Sequence, residues 1–216
     1  MRKTAAFIGA ALFIFSSFSS LPAQAASRTS AEVSTYATVL RKINPRLAQW
    51  QSRDLAIHVL SSAARWNLDA NLLIALVTVE SRWRPAARSR VGALGLGQLM
   101  PGTARTLGVN PHNANSNLSG CAHYLSAMIE KYENRPNGYQ LAFAAYNAGP
   151  KAVDRYHGVP PFNETQHYVV RVMRMWQHFT KIVRLPVIEA QVTTAAAGAT
   201  SDWYTKFSPS EGPAEK

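Results

Sequence analysis

A single carboxylate lies on an otherwise apolar stripe of the sequence. Leu72, Leu76 and Glu80 stand four residues apart, so their side chains share one face of a helix that the periodicity predicts over residues 70–83. Burial of a carboxyl group away from any cation disfavours its charged form and raises its pKa above the ordinary value of about 4.3. Because a carboxyl group that keeps its proton near neutral pH can act as a general acid, Glu80 is the first candidate for catalysis.

The same position also suits a purely structural glutamate. Arg82 and Arg84 follow closely, and an ion pair with either would lower the pKa of Glu80 instead of raising it. The downstream sequence favours the catalytic interpretation. Residues 85–98 carry three glycines with little periodicity, which predicts a structured loop. The amide, hydroxyl and aromatic side chains that follow Glu80 are typical of a site that binds sugar.

The elements that must position Glu80 are predicted to be mainly helical. Apolar residues recur at helical spacing, and proline, glycine and capping residues separate the runs. Asp69 is the predicted N-cap of the third helix, and Pro85 is the residue that ends it. The last helix has a basic outer stripe, which a solvated face explains better than a polyanion contact. The predicted helices cover about residues 33–44, 52–66, 70–83, 101–107, 117–132, 139–147, 150–156 and 163–184.

Length and composition predict one compact domain. The chain has 216 residues, of which 47% are hydrophobic and 16% are charged, which is enough for one sizeable core but short for two. The single cysteine, Cys121, excludes an internal disulfide and a multi-cysteine zinc site, and its apolar helical surroundings predict a core residue rather than a reactive thiol. The six histidines show no ligand-like spacing, so no metal and no cofactor is expected.

The first 25 residues predict a cleaved export signal. Arg2 and Lys3 precede an uncharged apolar stretch at 5–18, and alanines at 23 and 25 supply the small residues that a signal peptidase reads. The apolar stretch is shorter than the roughly 20 residues that cross a bilayer, which disfavours an uncleaved anchor. No cysteine near residue 25 can accept a lipid. We therefore expect a periplasmic or secreted protein with no stable membrane anchor after cleavage.

The mature chain is predicted to have three parts after the signal at 1–25. Residues 26–42 form an N-terminal segment, and residues 43–184 form the globular domain. Residues 185–216 are rich in alanine, threonine, serine, glycine and proline, which predicts a flexible C-terminal tail.

Several short motifs follow one another between about residues 65 and 175. They are Glu80-Ser81, Pro85-Ala86, Ser89, Gly92-Ala93, Gly95-Leu96, Gln98-Leu99-Met100-Pro101, Thr103-Ala104, Asn117-Leu118, Gly120, Tyr124-Leu125, Ala144-Ala145-Tyr146-Asn147-Ala148-Gly149-Pro150, Glu164-Thr165 and Tyr168-Val169. Each piece is a weak signal alone. In this order and spacing they resemble the soluble lytic transglycosylase (SLT) domain of the lysozyme-like superfamily.

The resemblance implies a mainly α, lysozyme-like fold, a single globular domain with a glycine-rich active-site loop. It also implies a peptidoglycan lytic transglycosylase that cleaves the β-1,4 bond between N-acetylmuramic acid and N-acetylglucosamine. In the family's scheme one glutamate, here Glu80, acts first as acid and then as base and leaves a 1,6-anhydromuramyl product. Most glycosidases use two carboxylates, but the acidic residues nearest the motifs, Asp154 and Glu164, are distant in the chain. A single-carboxylate mechanism is therefore expected.

Matching positions imply the residues that contact the substrate. They are Ser81, Ser89, Gln98, Met100, Tyr146, Asn147 and Glu164. The Ser81 hydroxyl would cap the helix end or orient the loop, and Ser89 and Gln98 would hydrogen-bond sugar amides and hydroxyls. Met100 would give the cleft an adaptable apolar wall.

The remaining matches leave alternatives open. The Tyr146 phenol would hold the acetamido group or hydrogen-bond the catalytic carboxyl, with a core aromatic as the alternative. Asn147 would line the cleft beside it, and Glu164 would fix a helix start or contact sugar. Gly97 departs from the resemblance, because the family usually has methionine there, and we expect this glycine to loosen the sugar cleft. Asn113 also departs from it, because an aspartate is common at that position.

Two other functions also fit the sequence. A lysozyme-type muramidase would use water as the acceptor, and a catalytically weak peptidoglycan-binding component of an envelope-spanning secretion system would use its cleft only for binding. The formal net charge of +11 favours a polyanionic partner, and export directs it toward the wall. The basic residues show no interleaved aromatic platform, so nucleic acid is not expected. We expect a monomer that binds peptidoglycan strands, with secretion-apparatus or wall-synthesis partners left open.

Overall fold

The computed structural model describes residues 21–183, and this part of the chain contains eight helices and no strand. The helices are α1 (Leu21–Ile43), α2 (Gln49–Arg65), α3 (Ala70–Ser81), α4 (Pro101–Thr106), α5 (Ala114–Tyr132), α6 (Gly138–Ala148), α7 (Pro150–Tyr156) and α8 (Asn163–Ile182). The prediction of a mainly α, single globular domain is thus confirmed for the described residues. Most of the predicted signal at 1–25 and the whole predicted tail at 185–216 lie outside them.

The predicted helices are all present, and most of their ends differ from the predictions by three residues or fewer. The exception is α1, which is already helical at Leu21, twelve residues before the predicted start at 33. Helix α5 begins three residues early because Asn113 caps it, its side-chain oxygen accepting a hydrogen bond from the Ser116 amide at 2.9 Å. Helix α3 ends at Ser81 rather than at residue 83. Arg82 and Trp83 both adopt left-handed backbone angles, with φ of 51° and 58°, and so stop the helix before Pro85 is reached.

Helix α3 is the central helix of the domain. Residues 72–77 are at most 1% exposed on every side of the helix, since α2 and α8 both pack against it. This all-round apolar character is typical of a helix buried inside a core. Both ends of the helix are partly accessible, Ala70 and Asn71 in the first turn and Val79 and Glu80 in the last. The fold therefore buries the middle of α3 and leaves the end that bears the carboxylate partly open.

Asp69 fixes the relative position of α3 and α8. One of its carboxylate oxygens accepts a hydrogen bond from the Asn71 amide at 2.8 Å and caps α3 as predicted. The other accepts one from the indole N–H of Trp176 in α8 at 2.7 Å. Since the start of α3 meets the later part of α8, the two helices run antiparallel, and the end of α3 meets the early part of α8.

Helix α1 packs against the domain rather than apart from it. Val33, Tyr36 and Leu40 are buried at the α1–α2 contact, and the Tyr36 hydroxyl donates to the side-chain oxygen of Asn71 at 3.1 Å. The residues of the N-terminal segment, 26–42, thus belong to a helix whose apolar face contributes to the core. Among residues 21–183, no helix combines the length and apolar character that crossing a bilayer requires.

The segment between α3 and α4 is held on α5 by one buried asparagine. Asn117 is 0% exposed, its side-chain oxygen accepts from the Gly97 amide at 2.7 Å, and its amide group donates to the carbonyl of Leu94 at 2.8 Å. Gly95 has a φ of 74° and lies so close to Asn117 that a Cβ atom would overlap the amide. Isolated β-bridges from Leu94 to Arg88 and Leu99 complete a compact series of turns.

Candidate active site

Seven of the eight predicted site residues line one cleft of ≈ 490 Å³. They are Glu80, Ser89, Gln98, Met100, Tyr146, Asn147 and Glu164. The cleft lies between the end of α3, the turns that follow it, the end of α6 and the start of α8. Residues far apart in sequence are therefore brought to one place, and the partly accessible end of α3 forms part of its wall.

Glu80 lies in this cleft without a cationic partner. No lysine or arginine nitrogen of residues 21–183 lies within 4.0 Å of its carboxyl group. Burial raises the pKa of Glu80 to about 7, while the hydrogen bond from Tyr168 and the charge of Arg171 act in the opposite direction. A carboxyl group with this pKa keeps a large fraction of its proton near neutral pH, as a general acid requires.

A purely structural role for Glu80 would require an ion pair with Arg82 or Arg84, and the structure contains neither pair. Both arginines are exposed, and the guanidinium of Arg84 donates from Nε to the carbonyl of Ser81 at 3.0 Å. The left-handed backbone after Ser81 ends the helix at this point, so neither arginine forms an ion pair with the Glu80 carboxyl.

Tyr168 is the direct partner of Glu80, and the predicted site residues did not include it. Its hydroxyl is buried and donates to Oε1 of Glu80 at 2.5 Å. Arg171, one turn later, also lines the cleft. Glu164, Tyr168 and Arg171 follow the i, i+4, i+7 spacing of one helix face. This spacing was readable in the sequence and could have placed all three in one site.

Glu164 brings a second carboxylate into the cleft. It lies in the first turn of α8 and is exposed, and its negative charge contributes to the raised pKa of Glu80. The sequence argument that Glu164 is distant from Glu80 holds only along the chain. The antiparallel packing of α3 and α8 removes that distance in space, so two carboxyl groups line the same cleft.

Ser89 and Gln98 use part of their hydrogen-bonding capacity to hold the loop. The Gln98 amide group donates to the carbonyls of Gly95 at 2.9 Å and Ala87 at 3.2 Å. The Ser89 oxygen accepts from the Ala93 amide at 2.9 Å. Within residues 21–183 the side-chain oxygen of Gln98 has no donor, so it is the atom of this residue that a ligand could use.

Tyr146 and Asn147 each form a hydrogen bond within the domain. Tyr146 is 8% exposed, and its hydroxyl donates to the carbonyl of Gly97 at 2.8 Å. Of the alternatives left open for Tyr146, the hydrogen bond to Glu80 is made by Tyr168 instead. The side-chain oxygen of Asn147 accepts from the Thr165 hydroxyl at 2.8 Å, which leaves its amide hydrogens for a ligand.

Ser81 is the predicted site residue that the cleft does not contain. Its side chain is 1% exposed, and its hydroxyl donates back to the carbonyl of Val77 at 3.3 Å. A serine one position after an accessible helical residue points to a different face of the helix, here into the core. Its place among the substrate-contacting residues is therefore wrong.

Gly97 does not loosen the cleft, contrary to our expectation. It is buried beneath the cleft, where a Cβ atom would lie 2.5 Å from Cβ and 2.9 Å from Sγ of Cys121. Cys121 is 0% exposed, as predicted for a core residue, and burial raises the pKa of its thiol to about 12. The space that a larger residue would need at position 97 is occupied by helix α5.

No group of three potential metal ligands occurs among residues 21–183.

Comparison with known proteins assigns the chain to a family. Residues 58–169 match the family model described as the transglycosylase SLT domain. The chain belongs to the SLT family. The matched residues run from the middle of α2 to the early part of α8 and include every residue that lines the cleft except Arg171. The resemblance inferred from the short motifs is thus confirmed for about half of the chain.

Individual SLT relatives are similar over part of their length. Membrane-bound lytic murein transglycosylase F of Saccharophagus degradans is 35% identical over 112 residues, which are 50% of this chain and 21% of that protein. The transglycosylase of Enterobacteria phage PRD1 is 38% identical over 90 residues, 41% of this chain and 32% of that protein. This chain thus spans a fifth to a third of the length of these relatives.

A solved structure is similar to the SLT fold seen here. The 70 kDa soluble lytic transglycosylase from Escherichia coli matches with a TM-score of 0.51 at 21% identity, covering 71% of this chain and 30% of that one. This likeness supports the mainly helical architecture of the domain.

Proposed function

We propose that this SLT protein is a peptidoglycan lytic transglycosylase with Glu80 as its single acid–base catalyst. The observation that carries the proposal is a carboxyl group with a pKa of about 7, without a cationic partner, in a cleft where six other implied site residues meet. The family match over residues 58–169 supports the same reaction class. The substrate is the β-1,4 bond between N-acetylmuramic acid and N-acetylglucosamine.

The proposed reaction uses one carboxyl group twice, first as an acid and then as a base. Protonated Glu80 donates its proton to the glycosidic oxygen as the bond to the muramyl anomeric carbon breaks, while the substrate's own acetamido oxygen supports the positive charge on that carbon. The resulting Glu80 carboxylate takes the proton of the muramyl 6-hydroxyl, whose oxygen bonds to the anomeric carbon. The products are a 1,6-anhydromuramyl end and a free N-acetylglucosamine 4-hydroxyl, and no water is consumed.

The surrounding residues suit this cycle of proton donation and return. The Tyr168 hydroxyl donates to Oε1, so Oε2 is the oxygen that carries the reactive proton. Tyr168 and Arg171 stabilise the carboxylate that forms after the first step, which keeps the proton transfer close to reversible near neutral pH. Gln98, Asn147 and Ser89 supply polar atoms to the bound sugars, and Met100 provides an exposed apolar wall.

Glu164 supports a second candidate function, which is lysozyme-type hydrolysis. Two carboxyl groups in one cleft are the usual equipment of a glycosidase that activates water or forms a covalent intermediate. In that reaction Glu80 remains the acid and Glu164 acts as base or nucleophile.

The mature protein is proposed to act outside the cytoplasm, in the periplasm or beyond it. Its proposed substrate, peptidoglycan, lies there, and the predicted signal at residues 1–25 would direct the chain there.

Product masses distinguish the two reactions. Purified protein is incubated with peptidoglycan in water enriched in heavy oxygen, and the released fragments are analysed by mass spectrometry. We expect anhydro ends, which are one water lighter than reducing ends and contain no heavy oxygen. Reducing ends that carry heavy oxygen, and that disappear in Glu164→Gln, would establish hydrolysis instead.

Replacing Tyr168 by phenylalanine is expected to move the alkaline limb of the kcat profile to higher pH. The hydroxyl lowers the pKa of Glu80, so its loss raises that pKa above about 7 and extends the protonated form upward by roughly one pH unit. Tyr124→Phe is the matched control, because Tyr124 lines the same cleft without bonding to Glu80. A limb that stays in place in Tyr168→Phe would contradict the assigned hydrogen bond.

A further inference from the structure

Two adjoining hollows beside the turns that follow α3 form a groove, and none of the residues that line it lines the cleft. Their volumes are ≈ 440 Å³ and ≈ 170 Å³, and Leu47, Gln51 and Pro85 line both. The turns separate this groove from the candidate active site. Residues 85–88 line the groove, whereas Ser89 and the residues after it line the cleft.

One end of the groove carries a concentrated positive charge. Arg46, Arg84 and Arg88 line the larger hollow, and no aspartate or glutamate lines it. None of these guanidinium groups lies within 4.0 Å of a carboxylate of residues 21–183. Three exposed arginines without a carboxylate partner favour a ligand that brings negative charge, and a planar guanidinium matches the geometry of a carboxylate.

The other end combines an exposed aromatic ring with polar side chains. Trp50 is 71% exposed, more than any other described tryptophan, tyrosine or phenylalanine. Beside it, the Asp54 carboxylate accepts a hydrogen bond from the side-chain amide of Asn115 at 3.0 Å, which fixes its orientation. An aromatic face next to an oriented carboxylate and amides is the combination that binds a pyranose ring, whose C–H face stacks while its hydroxyls donate and accept hydrogen bonds.

Hydrogen bonds hold the backbone at both ends of the groove. Gln51 accepts a hydrogen bond from the Ala48 amide at 2.9 Å and so caps the helix turn that bears Trp50. Asn44 donates to the carbonyl of Trp83 at 2.7 Å and joins the arginine-bearing turn to the end of α3. A backbone held in place in this way lowers the entropy cost of binding.

We propose that this groove is an accessory site for an acidic glycan, with a sugar ring on Trp50 and carboxylates of the same strand on Arg46, Arg84 and Arg88. The choice of peptidoglycan as that glycan rests on the proposed function. The site holds the enzyme on insoluble wall while the cleft acts on a bond elsewhere. Asp54 at the aromatic end disfavours nucleic acid, because a phosphate next to each stacked base would be repelled there.

Binding to insoluble peptidoglycan tests the accessory site. The parent protein is Glu80→Gln, which does not digest the wall during the assay, and the bound fraction is measured by co-sedimentation over a range of peptidoglycan concentrations. We expect Trp50→Ala and the pair Arg46→Glu with Arg88→Glu each to raise the apparent Kd about tenfold. Trp50→Phe should retain most of the affinity because it keeps an aromatic face.

Two matched controls lie on the same helix as Trp50. Ile57→Ala removes an apolar side chain that is 46% exposed, and Arg53→Glu reverses an exposed charge, and neither residue lines the groove. Both should bind within about twofold of the parent, which is less than 0.5 kcal/mol. Circular dichroism confirms that each variant is folded.

The proposal is overturned if both groove variants bind like the parent, or if the controls lose as much affinity. Competition by a single-stranded oligonucleotide at concentrations where short peptidoglycan fragments compete would also overturn it, since the groove would then be a general polyanion site. Failure of the proposed function is read separately. It would appear as wild-type protein that binds the wall but releases no fragments from it.

Discussion

Replacing Glu80 by glutamine is expected to lower kcat on peptidoglycan by about 10²- to 10⁴-fold, the range that a positioned general acid contributes. The amide keeps the size of the side chain and still accepts the Tyr168 hydrogen bond through its oxygen, so the cleft retains its shape. What is lost is the proton on the second oxygen. Release of soluble fragments from purified peptidoglycan measures the effect.

The same substitution should make the folded protein more stable at alkaline pH. Glu80 has an ordinary pKa of 4.5 and a folded pKa of about 7, so the folded state binds the proton more tightly than the unfolded state does. Stability contributed by this group is present at low pH and is lost as the pH rises from about 4.5 to about 7. The neutral glutamine avoids that loss, which amounts to roughly 3 kcal/mol, because each pKa unit between the two states corresponds to about 1.36 kcal/mol.

Urea unfolding of both proteins at about pH 5 and about pH 8 separates this effect from damage to the fold. We expect nearly equal stabilities at the lower pH and a more stable Glu80→Gln protein at the higher one. Glu130→Gln is the matched control, because it removes an exposed carboxyl group that does not line the cleft. A Glu80→Gln variant that digests peptidoglycan like the wild type would exclude the acid role. Equal stabilities at both pH values would exclude the raised pKa.

The sequence predicts the helices well because their signals are local. Apolar spacing, the Asp69 cap and the prolines act within a few residues, and a nearby side chain or a left-handed backbone accounts for the shifted ends of α5 and α3. The start of α1 was missed because residues 26–32 are polar and small and show no apolar periodicity. The inward position of Glu80 follows from the same local periodicity. These features therefore required no knowledge of which helices pack together.

The parts of the site that the sequence did not predict all depend on packing between distant elements. Tyr168 bonds to Glu80, and Glu164 lines the same cleft, only because α8 runs antiparallel to α3, and that direction is fixed by contacts such as Asp69 with Trp176. For the same reason the sequence left the role of Tyr146 open and did not identify Tyr168 as the partner of Glu80. A hydroxyl can be matched to a motif, but its partner is set by three-dimensional distance.

Substituting Gly97 by alanine is expected to destabilise the protein by about 1–3 kcal/mol, the usual cost of adding atoms to a filled core. The new Cβ would lie 2.5 Å from Cβ of Cys121, and 3.1 Å from the Tyr146 hydroxyl that donates to the Gly97 carbonyl. Neither neighbour can withdraw easily. Cys121 is fixed in helix α5, and Asn117 on that helix holds the Gly97 amide.

Double-mutant analysis distinguishes this overlap from a general intolerance of the turn. Cys121→Gly removes both overlapping atoms and by itself should destabilise α5 by roughly 1 kcal/mol or more, because glycine is unfavourable inside a helix. If Gly97 is required only by Cys121, the double variant will be at least about 1 kcal/mol more stable than the sum of the two single effects predicts. Denaturant unfolding of the four proteins gives this coupling energy. Additive effects would instead place the requirement for glycine in the backbone of the turn. The close approach of position 97 to α5 would then not explain why glycine stands where the SLT family usually has methionine.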